Sequence, residues 1–352
     1  MTGITTEKII LFHEMLKRAS RICIVTHMKP DGDAIGSSMG MYHTLSLYGK
    51  QAKVAIANPY PDNLKFLTED NSDILIHESA REETEKAVLD SDLIICLDFN
   101  AFHRTDTLED VLYKAKAEKV LIDHHLSPDT AKFSLVFSET EISSASELLY
   151  CVLMKLPPIA DNVHNLPEKA ALALMTGMTT DTNNFMNSTH PSTLRMASSL
   201  LERGVDRDLI IRNIYQSFRE SRIRLQGYVL KDLLKITEDG VAYIVLDKKD
   251  MVKYDVQEGD TEGFVNIPLT IGKVAMSILA KEDEGRVRIS IRSRKGTSAN
   301  LCSKLHFNGG GHENAAGGRL MIPEDVTGIE DVAGYIERHT HKFMTEENEQ
   351  TY

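Results

Sequence analysis

The 352-residue chain has no tryptophan, few aromatic residues and only four cysteines. Cys23, Cys96, Cys151 and Cys302 are far apart and form no Cys-x-x-Cys pair, which excludes a disulfide framework and a thiolate zinc site. Cys23 and Cys96 sit inside apolar strand patterns and read as buried free thiols in a reducing compartment. No apolar run approaches a membrane span, and the longest, such as LIIC at 93–96, are strand-sized. The segment TEKIILFHEMLKRAS spaces Ile9, Phe12, Leu16 and Ala19 along one helical face and lacks the pattern of a signal peptide. A cytoplasmic protein with no membrane partner is expected. A basic surplus is also missing. The formal net charge of −12 argues against a broad surface for long duplex nucleic acid, but a local cluster or a metal could still hold a small anion. There is no internal repeat and no low-complexity tract.

What the chain does have is alternation. RICIV (21–25), KVAIA (53–57), DLIICLDF (92–99) and KVLID (119–123) read as strands, with helix-like stretches at 33–48 and 108–118 between them. Such a pattern predicts an α/β unit with a mostly parallel sheet flanked by helices, where ligands collect at the carboxyl ends of the strands. Residues 166–218 read as a run of helices, and SRIRLQGYVLKDLLKIT continues as a helical connector. After Gly240 the pattern returns to strands in VAYIVLD, KVAMSILAKE, RVRISIRSR and GGRLMIP. The expected organisation is a catalytic domain over 1–190, a connector over 191–237, and a smaller α/β domain with a mixed sheet over 238–345.

Acids and histidines gather at the ends of these elements. THMKPDGDAIG carries His27, Asp31 and Asp33, CLDFNAFHR carries Asp98 and Arg104, KVLIDHHLSP carries Asp123, His124 and His125, and TGMTTDTNNF carries Asp181. Each has an ordinary reading: Pro-Asp-Gly-Asp is a good turn, and Asp is a good helix cap. Together they suggest more, because a parallel sheet would present several of them at one edge. Converging carboxylates repel unless cations neutralise them, and Asp/His donors suit Mn²⁺ or a related divalent ion. Four aspartates would balance two divalent cations, the charge arrangement of a two-metal hydrolase acting on an anionic phosphate ester.

The second informative stretch is HFNGGGHENAAGG (306–318). Gly309, Gly310 and Gly311 let backbone approach a ligand, His312 follows, and the small residues after it predict a short helix whose N-terminus suits an anion. In RVRISIRSR, alternation puts Val287, Ile289 and Ile291 on one face and Arg286, Arg288, Arg292 and Arg294 on the other. That cationic stripe is either a solvated face or a phosphate reader.

These motifs resemble the DHH phosphoesterase family, in the order His-x-x-x-Asp-x-Asp (His27, Asp31, Asp33), a strand-end acid (Asp98), Asp-His-His (Asp123, His124, His125) and a final acid (Asp181). The resemblance implies two divalent ions, Mn²⁺ first, with Mg²⁺ or Co²⁺ as alternatives. One ion would be held by His27, Asp31 and Asp98, and the other by Asp33, Asp98, His124 and Asp181. Asp123 would orient a histidine, His125 would face the phosphate, and Arg104 is a further catalytic candidate. Where family members often carry a glycine after the final Asp-Thr, this chain has Asn183-Asn184. The second half resembles the DHH-associated C-terminal domain, which implies substrate binding by Arg292, Ser293, Gly309, Gly310, Gly311 and His312. The two halves together look like the branch that hydrolyses short oligoribonucleotides and 3′-phosphoadenosine 5′-phosphate (pAp), with a homodimer left open. The alternatives are hydrolysis of cyclic or linear dinucleotides such as c-di-AMP and pApA, an inorganic pyrophosphatase or exopolyphosphatase, and a nucleotide-binding regulator without activity.

Overall fold

The apolar runs become the strands of a parallel sheet. Residues 3–68, 72–257 and 259–347 are described in this computed structural model, and the chain divides into two units, Met1–Ser217 and Phe218–Tyr352. The first unit holds strands β1 (Ile22–Val25), β2 (Ala52–Ile56), β3 (Ile74–Ile76), β4 (Leu93–Leu97), β5 (Glu118–Asp123) and β6 (Leu135–Ser138). Their order is β3-β2-β1-β4-β5-β6 and every pairing is parallel. The chain reverses its direction of travel across the sheet between β1 and β4, which opens a crevice at their carboxyl ends.

Helices α1 (Thr6–Arg18), α2 (Gly32–Thr44), α3 (Arg81–Leu89), α4 (Glu109–Lys114), α5 (Ala145–Met154), α6 (Glu168–Asp181), α7 (Pro191–Glu202) and α8 (Arg207–Tyr215) complete this unit. Successive strand residues point to opposite faces, so a strand covered on both sides must be apolar throughout. Ile24, Ile95, Leu97, Val120 and Ile122 pack with Phe12, Leu16, Ile35, Met39, Leu148, Leu149, Leu174 and Met178 from helices α1, α2, α5 and α6. Cys23, Val25, Ile94, Cys96 and Leu121 face the other way, onto Val88, Val111 and Leu112 from α3 and α4. Cys23 and Cys96 are therefore core thiols.

Helix α2 is cut for a close neighbour. A Cβ on Gly36 would lie 2.7 Å from the Ala173 carbonyl oxygen and from the Gly177 backbone, and one on Gly40 would lie 2.6 Å from the Leu174 side chain. Glycines four apart share one face, so α6 lies directly against α2. A Cβ on Gly177 would in turn sit 2.0 Å from Ser146 Oγ and 2.8 Å from Asp33 Oδ1.

The second unit contains β7 (Lys235–Ile236), β8 (Val241–Leu246), β9 (Met276–Asp283), β10 (Arg286–Ser293), β11 (Gly310–His312) and β12 (Ala315–Met321), with α9 (Glu220–Tyr228), α10 (Lys248–Lys253), α11 (Ala299–His306) and α12 (Val332–Lys342). The sheet order is β11-β12-β10-β9-β8-β7; β8 and β9 are parallel and the other pairs antiparallel, giving the expected mixed sheet. Val287, Ile289 and Ile291 face a core with Phe307, Leu320 and Ile336. The stretch read as a connector is divided, with α7 and α8 in the first unit and α9 in the second.

One expectation is corrected. The triple glycine does not open a helix. Gly310–His312 form an edge strand that pairs with β12, so Ala315–Gly318 are extended. The glycines serve backbone packing instead: a Cβ on Gly309 would lie 2.0 Å from the Gly317 carbonyl oxygen, and Gly311 has φ +154°.

Overpacking a tight contact costs about 1–3 kcal/mol, so Gly36→Ala should lower stability by that amount in denaturant unfolding. Beyond the backbone of its own helix and its chain neighbours, a Cβ on Gly227, on α9, would meet no atom of the described residues within 4 Å. There Gly→Ala should raise stability by up to about 1 kcal/mol through helix propensity and reduced unfolded-state entropy.

Candidate metal centre

The cluster is built from three strand ends and two helix ends. Beyond β1, the Thr26 hydroxyl donates to the Leu97 carbonyl (2.9 Å), tying β1 to β4. His27 follows, and its Nδ1 lies 2.8 Å from the Met28 carbonyl. A carbonyl only accepts, so Nδ1 carries a hydrogen, and Nε2 is turned toward Asp98 Oδ2 at 3.3 Å and Asp31 Oδ1 at 3.8 Å. Asp98 lies one residue past β4 with φ +63°, left-handed backbone that a non-glycine residue adopts at a cost. Its N–H still donates to Ile122 across the sheet (3.2 Å). Asp98 is buried, and among the described residues its Oδ1 has no hydrogen-bond partner.

At the end of β5, His124 Nε2 stands 3.5 Å from Asp98 Oδ1, 3.6 Å from Asp181 Oδ2 and 4.0 Å from Asp33 Oδ2. Asp123 is fully buried, and its Oδ1 accepts from His125 Nδ1 at 2.8 Å. The histidine that Asp123 orients is thus His125, which also approaches Asp98 Oδ1 at 3.6 Å. Asp31 does cap α2, since its Oδ1 accepts from the Asp33 and Ala34 amides (3.0 and 3.1 Å). The ordinary reading thus holds for Asp31, whose carboxylate also stands beside His27.

Asp33 is held from a side that sequence reasoning missed. Its two oxygens accept from the first amides of α5, Ala145 N at 2.6 Å and Ser146 N at 2.9 Å. The signal was present as Ser144-x-x-Glu147, a helix-start pattern. Asp181 ends α6, and the loop after it runs through left-handed backbone at Asn183 (φ +46°), Asn184 (φ +57°) and Phe185 (φ +69°). Asparagine tolerates that region better than most residues, which explains how this chain turns without the glycine common in the resembled family.

Three groups of potential ligand atoms result: His27, Asp31 and Asp98; Asp33, His124 and Asp181; and Asp98, His124 and His125. Arg104 is tied in through its backbone, its carbonyl accepting from Met28 N at 2.7 Å. Among the described residues, no ion pair joins its guanidinium to the cluster.

The electrostatics show how crowded the site is. Burial and the carboxylates of Asp98 and Asp181 push Asp33 well above the usual carboxylate range. Enclosure, with Asp98 and Asp31 beside it, pushes Asp181 up to about 7 against the pull of His124. Burial lowers His124, but Asp98, Asp181 and Asp33 outweigh it and raise the imidazole to about 10. His27 is raised in the same way by Asp31 and Asp98. Burial acts to raise Asp98, yet His124 and His27 hold it well below the usual range.

In the second unit, Arg292 and His312 both sit opposite Ala315, so the three share one row and one face of the sheet. The next row along is Ser290, Gly317 and Gly310, which has almost no side chain. Burial lowers Arg292 from its ordinary value. Ser293 faces the other side and is buried; its hydroxyl donates to the Thr297 carbonyl (2.6 Å) and accepts from Asn314 Nδ2 (3.0 Å). Arg294 lies past β10 and donates to the Leu269, Ile271 and Gly272 carbonyls, whereas Arg286 pairs with Asp283 at 3.1 Å.

Residues 21–178 match the model of the DHH family, N-terminal domain, and residues 238–334 match the DHHA1 domain. The chain is 30% identical to the probable bifunctional oligoribonuclease and PAP phosphatase NrnA of Streptococcus mutans, over 88% of this chain and 94% of that one. It is 32% identical to the bifunctional oligoribonuclease and PAP phosphatase NrnA of Thermus thermophilus, covering 89% of each chain. The crystal structure of an exopolyphosphatase-related protein from Bacteroides fragilis superimposes with a TM-score of 0.90 at 38% identity, covering 97% of both chains.

Asp181→Asn removes one of the charges that hold the proton on His124. In chelator-treated protein, an NMR titration should show His124 losing its proton at lower pH in the variant than in the parent. An unchanged titration would mean that Asp181 is not electrostatically coupled to the imidazole.

Proposed function

From the membership of this chain in the DHH family, we propose that it is a divalent-metal-dependent phosphoesterase that hydrolyses short oligoribonucleotides and pAp. The observation that carries the reading is Asp98: a buried carboxylate on left-handed backbone, aimed between His27 and His124, whose Oδ1 makes no hydrogen bond among the described residues. A buried carboxylate oxygen without a donor is costly, and a cation is the simplest partner. The donor set fits two hard or borderline divalent ions such as Mn²⁺, being all carboxylate and imidazole, with His27, Asp31 and Asp98 for one and Asp33, Asp98, His124 and Asp181 for the other.

When bound, such ions supply positive charge to the phosphate oxygens and make an attacking water more acidic. The protein's own residues do the rest. Asp98 contributes one oxygen toward each half of the cluster. Asp123 fixes the His125 ring through Nδ1, leaving Nε2 to donate to the phosphate when the imidazole carries a proton there. Hydrolysis breaks one P–O ester bond, the water oxygen joins phosphorus, and the leaving oxygen takes a proton. The Arg292 and His312 row reads the nucleotide end, its glycine neighbours leaving room for a base or sugar.

With Mn²⁺, purified protein should turn over pAp and di- to pentaribonucleotides faster than cyclic di-AMP or pyrophosphate. Asp98→Asn should abolish turnover and lower bound metal at both positions. Faster turnover of pyrophosphate would transfer the reading to an inorganic-phosphate enzyme, and full metal content with normal turnover in Asp98→Asn would overturn the shared-ligand arrangement.

Arg292→Ala and His312→Ala test the nucleotide reader. Loss of one charge-assisted hydrogen bond is worth about 1.5–3 kcal/mol, or roughly ten- to a hundred-fold in kcat/KM for pAp and dinucleotides. Metal content should stay at the parent level, and a small chromogenic phosphodiester without a nucleotide should react as with the parent. Equal losses on both substrates would make this row structural.

A further inference from the structure

Glu147 is fully buried on α5 and makes no ion pair among the described residues. Its Oε2 accepts from the Ser143 amide (3.2 Å), from the Ser143 hydroxyl at short range, and from the Thr193 hydroxyl (2.7 Å); Oε1 is buried without a partner. An acid that merely closes a helix start reaches back to the adjacent backbone. This one also reaches Thr193, in the first turn of α7, and burying it unpaired by a cation is expensive.

Both ends of that network lead to the acidic cluster. On one side, Glu147 fastens Ser143, and its own N–H donates to Ser144 Oγ (3.0 Å). Between those anchors lie Ala145 and Ser146, the residues whose amides hold Asp33. On the other side, Thr193 Oγ1 accepts from His190 N (3.1 Å), the residue where the loop that starts after Asp181 enters α7. The same carboxylate thus braces the support of Asp33 and the far end of the loop that leaves Asp181.

We propose that Glu147 is a positioning residue for the Asp33–His124–Asp181 group, acting through the Ser143–Ser146 turn and through Thr193. It rests on the metal-binding reading above, and it assigns to Glu147 the relative placement of Asp33 and Asp181. The His27–Asp31–Asp98 group is braced separately, by the β1 and β4 strand ends.

The test uses the full chain and Mn²⁺ titrated calorimetrically, with thermal unfolding measured in chelator. Thr193→Val removes the hydroxyl at nearly constant shape, Glu147→Gln removes the charge, and Thr193→Ser restores the hydroxyl. Thr193→Val and Glu147→Gln should weaken one of the two Mn²⁺ ions by about tenfold or more, as support residues of metal ligands do, while the other changes by less than about twofold. Thr193→Ser should bind both ions as the parent does. A merely structural role would lower the unfolding temperature of the metal-free protein and leave the ratio of the two affinities unmoved, which would overturn the proposal. A parent protein that binds no Mn²⁺ would instead overturn the metal reading and this inference with it.

Discussion

The contact between α2 and α6 is the constraint on which the first unit depends. Gly36 and Gly177 meet without side chains, so the two helices approach to a distance that any Cβ would forbid. Asp33 lies in the first turn of α2 and Asp181 at the last position of α6. Close packing of these helices is what places two acids from opposite helix ends within reach of one imidazole. The β-sheet then supplies what the helices cannot. His27, Asp98 and His124 stand at the carboxyl ends of β1, β4 and β5, three neighbours in the sheet order, and meet Asp33 and Asp181 there.

Such a convergence is unfavourable for the fold taken alone. Like charges brought together out of water raise one another's pKa, and here Asp33 and Asp181 are raised, while the acids around His27 and His124 raise those imidazoles as well. Asp98 adds backbone strain at the centre of the cluster. Strain and repulsion persist because the surroundings hold them. Two helix-start amides fix Asp33, a cap fixes Asp31, Asp123 fixes His125, and a fully apolar sheet lies beneath. These supports make the cluster a fixed arrangement of charges, unlike a flexible acidic patch.

The second unit shows how a sheet can bring distant polar side chains onto one face by register alone. Arg292 and His312 are twenty residues apart in sequence but share a row through Ala315. The glycines do two different things within one short segment. Gly309 and Gly311 let β11 and the chain around it pack against β12, and Gly310 and Gly317 leave the neighbouring row bare. Hydrogen bonds from Ser293 and Asn314 lock the turn at the end of β10. No helix of the described residues is long and apolar enough to cross a membrane.

Much of this was legible from residue order. Uninterrupted apolar runs between helix-like stretches implied a parallel sheet covered on both faces, because a half-exposed strand would alternate. Acids and histidines just beyond those runs implied a site at the strand ends, and the alternation in β10 separated its arginines from its core residues correctly. Short elements were less visible: β3 and β6 have three and four residues, too few for a period to show. The triple glycine misled because glycine permits both a helix-start loop and an edge strand, and only pairing with β12 chooses between them. Which histidine Asp123 orients was equally hidden, since His124 and His125 are adjacent and the choice depends on the direction each ring takes at the strand end. The brace through Glu147 and Thr193 joins residues 46 apart. Local pattern determined the longer strands and helices and the candidate ligand residues. Tertiary structure alone decided which of those residues meet, because that depends on the distance at which two helices pack and on the register of strands far apart in the chain.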